Sequence, residues 1–210
     1  MKRFFRRHAT LWMLIGFCLL LGLFLSLRTG IFFTGRNLIN ILEANSFKLL
    51  LAIGMTFVIA SGGIDLSVGS ILSLSAIFTA LCMKQNIPVW LAILVGLLSG
   101  ILMGLINGAL IHFTGINAFI ITLGTSFLYR GLALIVTRGT PVSKLPAAYR
   151  AFGGGDIFQV ESGVYMALLV LLLSIPLLYK MRWGHYITTL GGNPVALRRC
   201  GVRTGAWRIS

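Results

Sequence analysis

Apolar residues along the chain fall into six runs, which polar or glycine-rich segments separate. A helix needs about 20 mainly apolar residues to cross the hydrocarbon core of a bilayer. The pattern therefore predicts an all-α, polytopic integral membrane protein with about six transmembrane helices. Residues 28–46 are predicted as a polar connection and residues 137–162 as the longest extramembrane loop. The predicted spans lie near residues 11–27, 47–60, 71–83, 89–111, 118–136 and 163–179.

The segment at residues 61–70 separates two runs that are each short for a full span. Its sequence is SGGIDLSVGS, with three glycines, three serines and the carboxylate of Asp65. Within the hydrocarbon, backbone that leaves a helix must be buried in protein or line a wet cavity, and an ionisable residue at that depth indicates a functional site. We therefore predict two short helices joined by a hairpin that dips into the bilayer.

A purely structural interpretation of this hairpin is also open. Asp65 or Ser67 would cap a helix that begins near Ser70, because Asp and Ser favour the N-cap position. The glycines would then serve only as turn residues. Since the sequence offers Asp65 no evident partner, we favour the structural role for it.

Basic residues set the predicted orientation. The formal net charge is +14, with only four acidic residues. Cytoplasmic segments beside membrane spans carry an excess of Lys and Arg. The segment before the first span carries such an excess, and so does the segment 180–208. Six spans return the chain to the side on which it began, so both segments are predicted to be cytoplasmic. Treating residues 47–83 as one span would leave the second basic segment outside.

The composition disfavours several other classes of protein. Charged residues make up 10% of the chain, whereas soluble domains have about 25%. Basic and aromatic residues are not interleaved as in single-strand binders, so no nucleic acid partner is expected. The cysteines fit neither a zinc site nor a disulfide framework, and no metal is expected. No Walker A phosphate loop occurs, so any ATP-driven work would need another subunit.

The four acidic residues are scattered, so no catalytic pair is predicted and the chain is not expected to be an enzyme. An intramembrane transferase is the alternative from another class. It would need acids or histidines clustered near one membrane face.

The run at 89–111 contains a glycine at every fourth position, at Gly96, Gly100, Gly104 and Gly108. Small residues at this spacing let a neighbouring helix come close, so this run is predicted as a tightly packed central helix. Asn107 lies beside the stripe and would either line a pathway or bond a neighbouring helix, and we favour the second role. Arg130, in the next span, would either extend its side chain to the interface or pair with a carboxylate or substrate.

Residues 191–201 predict a short helix after the last span. Asn193 suits the N-cap, Pro194 the first helical position and Gly201 the position after the C-cap. Residues 195–200 would form about two helical turns, and Gly191 with Gly192 would give a flexible entry. An isolated helix of this length is unstable in water. It would dock on a partner protein, which we favour, or rest as a basic helix on anionic membrane lipid.

Three segments carry a recognisable pattern: residues 53–70 (IGMTFVIASGGIDLSVGS), residues 116–125 (INAFIITLGT) and residues 184–201, which contain GGNP. They resemble the permease subunits of bacterial ABC sugar importers, such as the ribose, galactofuranose and autoinducer-2 permeases. The resemblance covers most of the chain after the first span, and the first of these segments is highly specific for the family.

The resemblance implies a multi-pass subunit of the inner membrane that moves a monosaccharide-type sugar by alternating access. Two such subunits, identical or paired with a homologue, would work with two ABC ATPase subunits and a periplasmic sugar-binding protein. ATP would be bound by the ATPases, so this chain needs no cofactor. For such a function, the substrate-pathway candidates among the polar residues in and beside the spans are Asp65, Asn107, Asn117 and Arg130. It identifies residues 180–208 with a cytoplasmic coupling segment, whose ATPase-coupling residues are Gly191, Gly192, Asn193, Pro194, Ala196, Arg198, Arg199 and Gly201.

Family members are longer than this chain, at about 300 residues for a permease domain. The resemblance therefore implies an N-terminal part of the permease, truncated relative to the family. The alternative function on this basis is a non-transporting remnant that only binds partner subunits.

Overall fold

The computed structural model describes residues 9–149, 155–157 and 159–202. Its longer helices are α1 (Ala9–Thr29), α2 (Gly35–Ala60), α3 (Val68–Lys84), α4 (Val89–Thr114), α5 (Ala118–Thr137) and α6 (Ser162–Tyr179). Two shorter helices follow, α7 (Arg182–Gly192) and α8 (Pro194–Arg199). Before α6, the two-residue strands β1 (Asp156–Ile157) and β2 (Val160–Glu161) pair antiparallel. The prediction of an all-α membrane fold is confirmed. The basic residues Lys2 to Arg7 and residues 203–208 of the predicted cytoplasmic segment lie outside the described residues.

Helix α2 corrects the prediction that residues 28–46 form a polar connection. It begins at Gly35 and runs for 26 residues, so the run at 47–60 is the second half of a long helix. Polar side chains in its first half bond to the helix's own backbone: Asn45 Nδ2 donates to Ile41 O at 2.7 Å, and Ser46 Oγ donates to Glu43 O at 2.8 Å. Since no glycine or proline occurs between Gly35 and Gly54, nothing stops the helix.

Apolar side chains cover the outside of the helices. Leu27, Trp90 and Phe113 are 79%, 69% and 78% exposed in the single chain. Helices α1, α2, α4, α5 and α6 are each long and apolar enough to cross a membrane, and α3 is a shorter apolar helix. Such a surface suits a multi-pass membrane protein, whose outer face meets lipid or other helices rather than water.

The chain divides into two compact units, Met1–Ser46 and Phe47–Ser210. In the first, Gly22 of α1 lies against the aromatic rings of Phe32 and Phe33, whose centroids are 5.1 Å apart in an edge-to-face arrangement. A Cβ atom at position 22 would lie 3.1 Å from the Phe32 ring. The absence of a side chain at Gly22 thus lets the turn after α1 fold back on the helix.

The core of the second unit lies among α3, α4 and α5. Leu74 of α3, Met103 of α4 and Tyr129 with Ala133 of α5 form one buried cluster. Helix α3 packs more extensively on α4 and α5 than these two pack on each other. The shortest of the six longer helices is therefore the one that holds α4 and α5 together in this core.

Two glycines of the predicted stripe face α3. A Cβ atom on Gly96 would overlap Thr79 Oγ1 and lie 3.2 Å from Ser75 O, and one on Gly100 would lie 3.2 Å from Ser75 Oγ. Gly104 is exposed with open space around its Cβ position, while Gly108 is buried. Each step of four residues rotates a position by about 40° around an α-helix. The stripe therefore meets α3 at Gly96 and Gly100 and has left it at Gly104.

Candidate functional site

Loop 61–67 connects α2 to α3 and is held first by its own residues. Gly62 has a left-handed φ of +83°, which lets Gly63 N donate to Val58 O at 3.1 Å. Asp65 Oδ1 then accepts from Ser67 N at 2.7 Å and from Ser67 Oγ at 2.6 Å. The carboxylate thus fixes the turn that enters α3.

Ser67, one of the two predicted candidates, is the N-cap of α3, which begins at Val68, two residues before Ser70. Its side chain makes no capping bond, however. The reason is that the Ser67 hydroxyl has two other partners. It donates to Asp65 and accepts from Asn107 Nδ2 at 2.7 Å.

Asn107 joins this loop to α4 and α5. Its Nδ2 atom bonds Ser67, and its Oδ1 atom lies 3.2 Å from the hydroxyl of Tyr129, which is also 3.2 Å from Met103 O. Both polar atoms of the Asn107 amide therefore form hydrogen bonds, one to the loop and one to α5. A side chain so placed fixes its neighbours because each of its polar atoms has a partner away from water.

Thr122, in the first turns of α5, holds the same loop from the other side. Its Oγ1 accepts from Leu66 N at 3.2 Å and lies 3.1 Å from Ile64 O and 2.8 Å from Ala118 O. We call Asp65, Ser67, Asn107, Thr122 and Tyr129 the polar cluster. Apart from Asp65, which is half-buried, its members are 0–3% exposed.

Sequence reasoning did not single out Thr122 or Tyr129. The signal that finds them is their spacing: Thr122, Thr125, Tyr129 and Ala133 are the buried residues of α5. They recur at three or four positions and so lie along one helix face. Polar side chains on the buried face of an apolar helix require partners, and the loop supplies them to Thr122.

Replacing Thr122 by Val should remove the hydrogen bond between α5 and loop 61–67 while keeping a side chain of similar volume. Leu66 N would lose its acceptor, and we expect a loss of about 1 kcal/mol of local stability. Hydrogen–deuterium exchange of the amides of residues 64–66 in detergent would measure it as faster exchange. The matched control is Thr125→Val, because Thr125 is also buried but, among the described residues, its hydroxyl bonds only Thr122 O of its own helix. Equal exchange in the two variants would contradict the role given to Thr122.

The other two predicted pathway residues lie away from the polar cluster. Asn117 is exposed and is the N-cap of α5, with its Oδ1 accepting from Phe119 N at 2.9 Å. Arg130 is exposed on α5, next in sequence to the buried Tyr129. The structure thus brings together Asp65 and Asn107 but not Asn117 or Arg130.

A separate cleft lies between α3, α4 and residues 142–149, with a volume of about 1270 Å³. Its lining is mainly apolar, with Ser75, Thr79 and Lys144 among its polar residues. Ser75 Oγ is buried and has no hydrogen-bond partner among the described residues. None of the four predicted pathway residues lines this cleft.

Helix α8 has the local features predicted from its sequence. Asn193 is the N-cap, and its Oδ1 accepts from Ala196 N at 3.0 Å. Pro194 is the first helical residue, and Gly201, just after the helix, has φ of +80°. Leu197 is buried, whereas Arg198 and Arg199 are exposed.

The expectation of a flexible entry at Gly191 and Gly192 is wrong, because both residues end the helix α7. Gly191 lies against the end of α2: a Cβ atom on it would overlap Ala60 O and lie 2.7 Å from Gly62 N. At the other end of α7, a Cβ atom on Gly184 would overlap Leu178 O of α6. Gly184 and Gly191 therefore allow close packing at the two ends of α7, whereas Gly192 has open space around it.

The described residues define a helical, multi-pass membrane protein in which a polar loop is fixed at one end of three packed helices. The family described as "Branched-chain amino acid transport system / permease component" matches residues 37–210. The chain belongs to this family.

Several curated relatives are transport permeases. The ribose import permease of Haemophilus influenzae is 33% identical over 182 residues, which cover 85% of this chain and 56% of the relative. The D-allose transport system permease of Escherichia coli is 35% identical over 191 residues, covering 90% and 58%. The autoinducer 2 import system permease of Klebsiella pneumoniae is 37% identical over 155 residues, covering 71% and 47%. The chain thus spans about half the length of the curated relatives it matches. No solved structure matches it significantly.

Proposed function

We propose that this chain is a membrane-spanning permease subunit of an ATP-binding-cassette importer for a monosaccharide-type sugar. Separate ATPase subunits would drive alternating access, and a periplasmic binding protein would deliver the sugar. Support comes from the relatives, whose names give ribose, D-allose and autoinducer 2 as their cargo. A second permease subunit would complete the pathway.

Helix α8 is the observation that carries this proposal. It has only six residues, too few to be stable alone, so contacts must hold it in place. Leu197 is buried, while Arg198 and Arg199 face outward at the C-terminal end, where the helix dipole favours positive charge. A preformed helix with two exposed arginines suits docking into an acidic groove of a partner protein.

The order of the helices supports a cytoplasmic position for α8. Helices α3 to α6 would cross in alternation, so α7 and α8 would return to the end at which α3 begins, in agreement with the contact between Gly191 and Gly62. The segment 180–199 carries four basic residues and no acidic one, as is typical of cytoplasmic segments. In the inner membrane of a bacterium, α8 would then lie where the ATPases would meet it.

Charge reversal of α8 tests the proposal. We expect the tagged wild-type chain, purified from gently solubilised membranes of its own cells, to retain an ABC ATPase identified by mass spectrometry. The double variant Arg198→Glu, Arg199→Glu should lose at least about 90% of that ATPase, since two attractive contacts become repulsive and a tenfold loss needs only about 1.4 kcal/mol.

The control is Lys84→Glu with Arg138→Glu, the same change of charge at two exposed positions at the far ends of α3 and α5. This variant should keep the ATPase. Recovery of no ATPase by the wild-type chain would refute the proposal. Equal recovery by both double variants would show that α8 is not the docking element and would favour contact with anionic lipid.

A further inference from the structure

We propose that loop 61–67 is a mechanical link: it receives the position of α7 and α8 through Gly62 and Gly191, and transmits it to α3, α4 and α5 through the polar cluster. The link rests on the proposed function, because it serves transport only if α8 binds an ATPase. It assigns Asp65 and Asn107 a positioning role in place of contact with the sugar.

The first half of the link is a contact between two backbones. A Cβ atom on Gly62 would lie 3.0 Å from Gly191 Cα, and one on Gly191 would lie 2.7 Å from Gly62 N and overlap Ala60 O. Side chains can absorb a displacement by changing rotamer, but two backbones in contact cannot. A movement of the end of α7 must therefore displace the loop or open the contact.

The second half is the set of hydrogen bonds that leaves the loop. Ser67 bonds Asn107 of α4 at 2.7 Å, and Leu66 N bonds Thr122 of α5 at 3.2 Å. Ser67 is also the residue from which α3 begins. One short loop thus contacts the starts of α3 and α5 and the interior of α4, and buried polar bonds of this kind are costly to break.

The four buried members of the polar cluster are poorly suited to bind a sugar, and the half-buried carboxylate of Asp65 already accepts two hydrogen bonds from Ser67. Ser67, Asn107, Thr122 and Tyr129 are 0–3% exposed. Their side-chain polar atoms already have partners within the protein. A sugar hydroxyl would have to displace these bonds to reach them, whereas a displacement of the loop is passed on directly through them.

Hydrogen–deuterium exchange of the full chain in lipid nanodiscs, with and without the ATPase and a non-hydrolysable ATP analogue, tests the link. In the wild-type chain, ATPase and nucleotide should change exchange in residues 182–199, 61–67 and 103–107 together. In Gly191→Ala the ATPase should still bind, because α8 is unchanged and the added methyl group meets Ala60 and Gly62 of the same chain rather than a partner. Its effect on residues 61–67 should be lost, and their basal exchange should rise by about tenfold or more.

The matched control is Gly131→Ala in α5, the same substitution in a helix but outside the coupling residues, since nothing lies within 4 Å of a Cβ atom at that position. It should behave as the wild-type chain does. If Gly191→Ala matches Gly131→Ala in both readouts, the link is refuted. If no ATPase binds the wild-type chain, the proposed function fails, while the rise in basal exchange still tests the Gly62–Gly191 contact by itself.

A second variant covers failure of Gly191→Ala to fold. Ser67→Ala leaves the glycine contact in place but removes the hydroxyl that joins Asp65 to Asn107. The response to ATPase and nucleotide should persist in residues 61–67 and disappear in residues 103–107. Persistence of the response in residues 103–107 would overturn the second half of the link.

Discussion

Asn107→Leu is expected to lower the stability of the second unit by about 1–3 kcal/mol. Leucine fills a similar space but cannot accept from Tyr129 or donate to Ser67, which lie 3.2 and 2.7 Å from the amide. Two buried hydroxyl groups would each lose a partner, and the loop would lose its bond to α4. The midpoint of thermal unfolding in detergent should fall by several degrees.

Ser99→Ala is the control for this variant. Ser99 is a half-buried polar residue of the same helix, but in the part of the chain that the structure describes its hydroxyl donates only to Gly96 O of its own helix, at 2.7 Å. Its removal should change the stability by no more than about 0.5 kcal/mol, so the midpoint of thermal unfolding should stay close to the wild-type value. Equal midpoints for the two variants would show that Asn107 does not join the loop to its neighbours.

Gly96→Val should have the larger effect, about 3 kcal/mol or more, because it forces α3 and α4 apart. A Cβ atom there would already overlap Thr79 Oγ1 and lie 3.2 Å from the Ser75 carbonyl oxygen. The two branches of valine would add to this overlap. The expected result is a low midpoint of thermal unfolding and a reduced yield of monodisperse protein from membranes.

Gly104→Val is the control, because it shows how much the valine substitution changes stability through helix propensity alone, without close packing. The substitution is the same, on the same helix, at an exposed position with open space around its Cβ. Its stability should stay within about 0.5 kcal/mol of the wild-type value, and its midpoint of thermal unfolding should stay close to that of the wild-type chain. A midpoint as low as that of Gly96→Val would mean that valine is poorly tolerated anywhere in α4, and the packing argument would fail.

The glycine stripe shows how far local sequence reasoning reaches. The spacing of Gly96, Gly100, Gly104 and Gly108 correctly indicates a helix, since four-residue spacing is a helical period. It does not reveal which members meet a neighbour. Gly96 and Gly100 face α3, whereas Gly104 has open space, because only the direction and extent of the neighbouring helix decide where the contact ends.

For α2, local sequence reasoning gave a wrong result: it predicted too short a helix. Polar residues between 35 and 46 suggested a connection, but a helix continues wherever nothing breaks it and its polar side chains can bond its own backbone. Hydropathy reports the part of a helix that suits hydrocarbon, not the length of the helix. The start of α2 therefore had to come from the structure.

The sequence by itself determined the membrane class, the positions of the apolar helices and the cap of α8, because each depends on residues a few positions apart. The tertiary structure alone decided the partners of the loop. Ser67 and Asn107 are 40 residues apart, and Leu66 and Thr122 are 56 apart. Such pairs form only after packing of the helices has set their distances, and no local pattern along the chain contains that information.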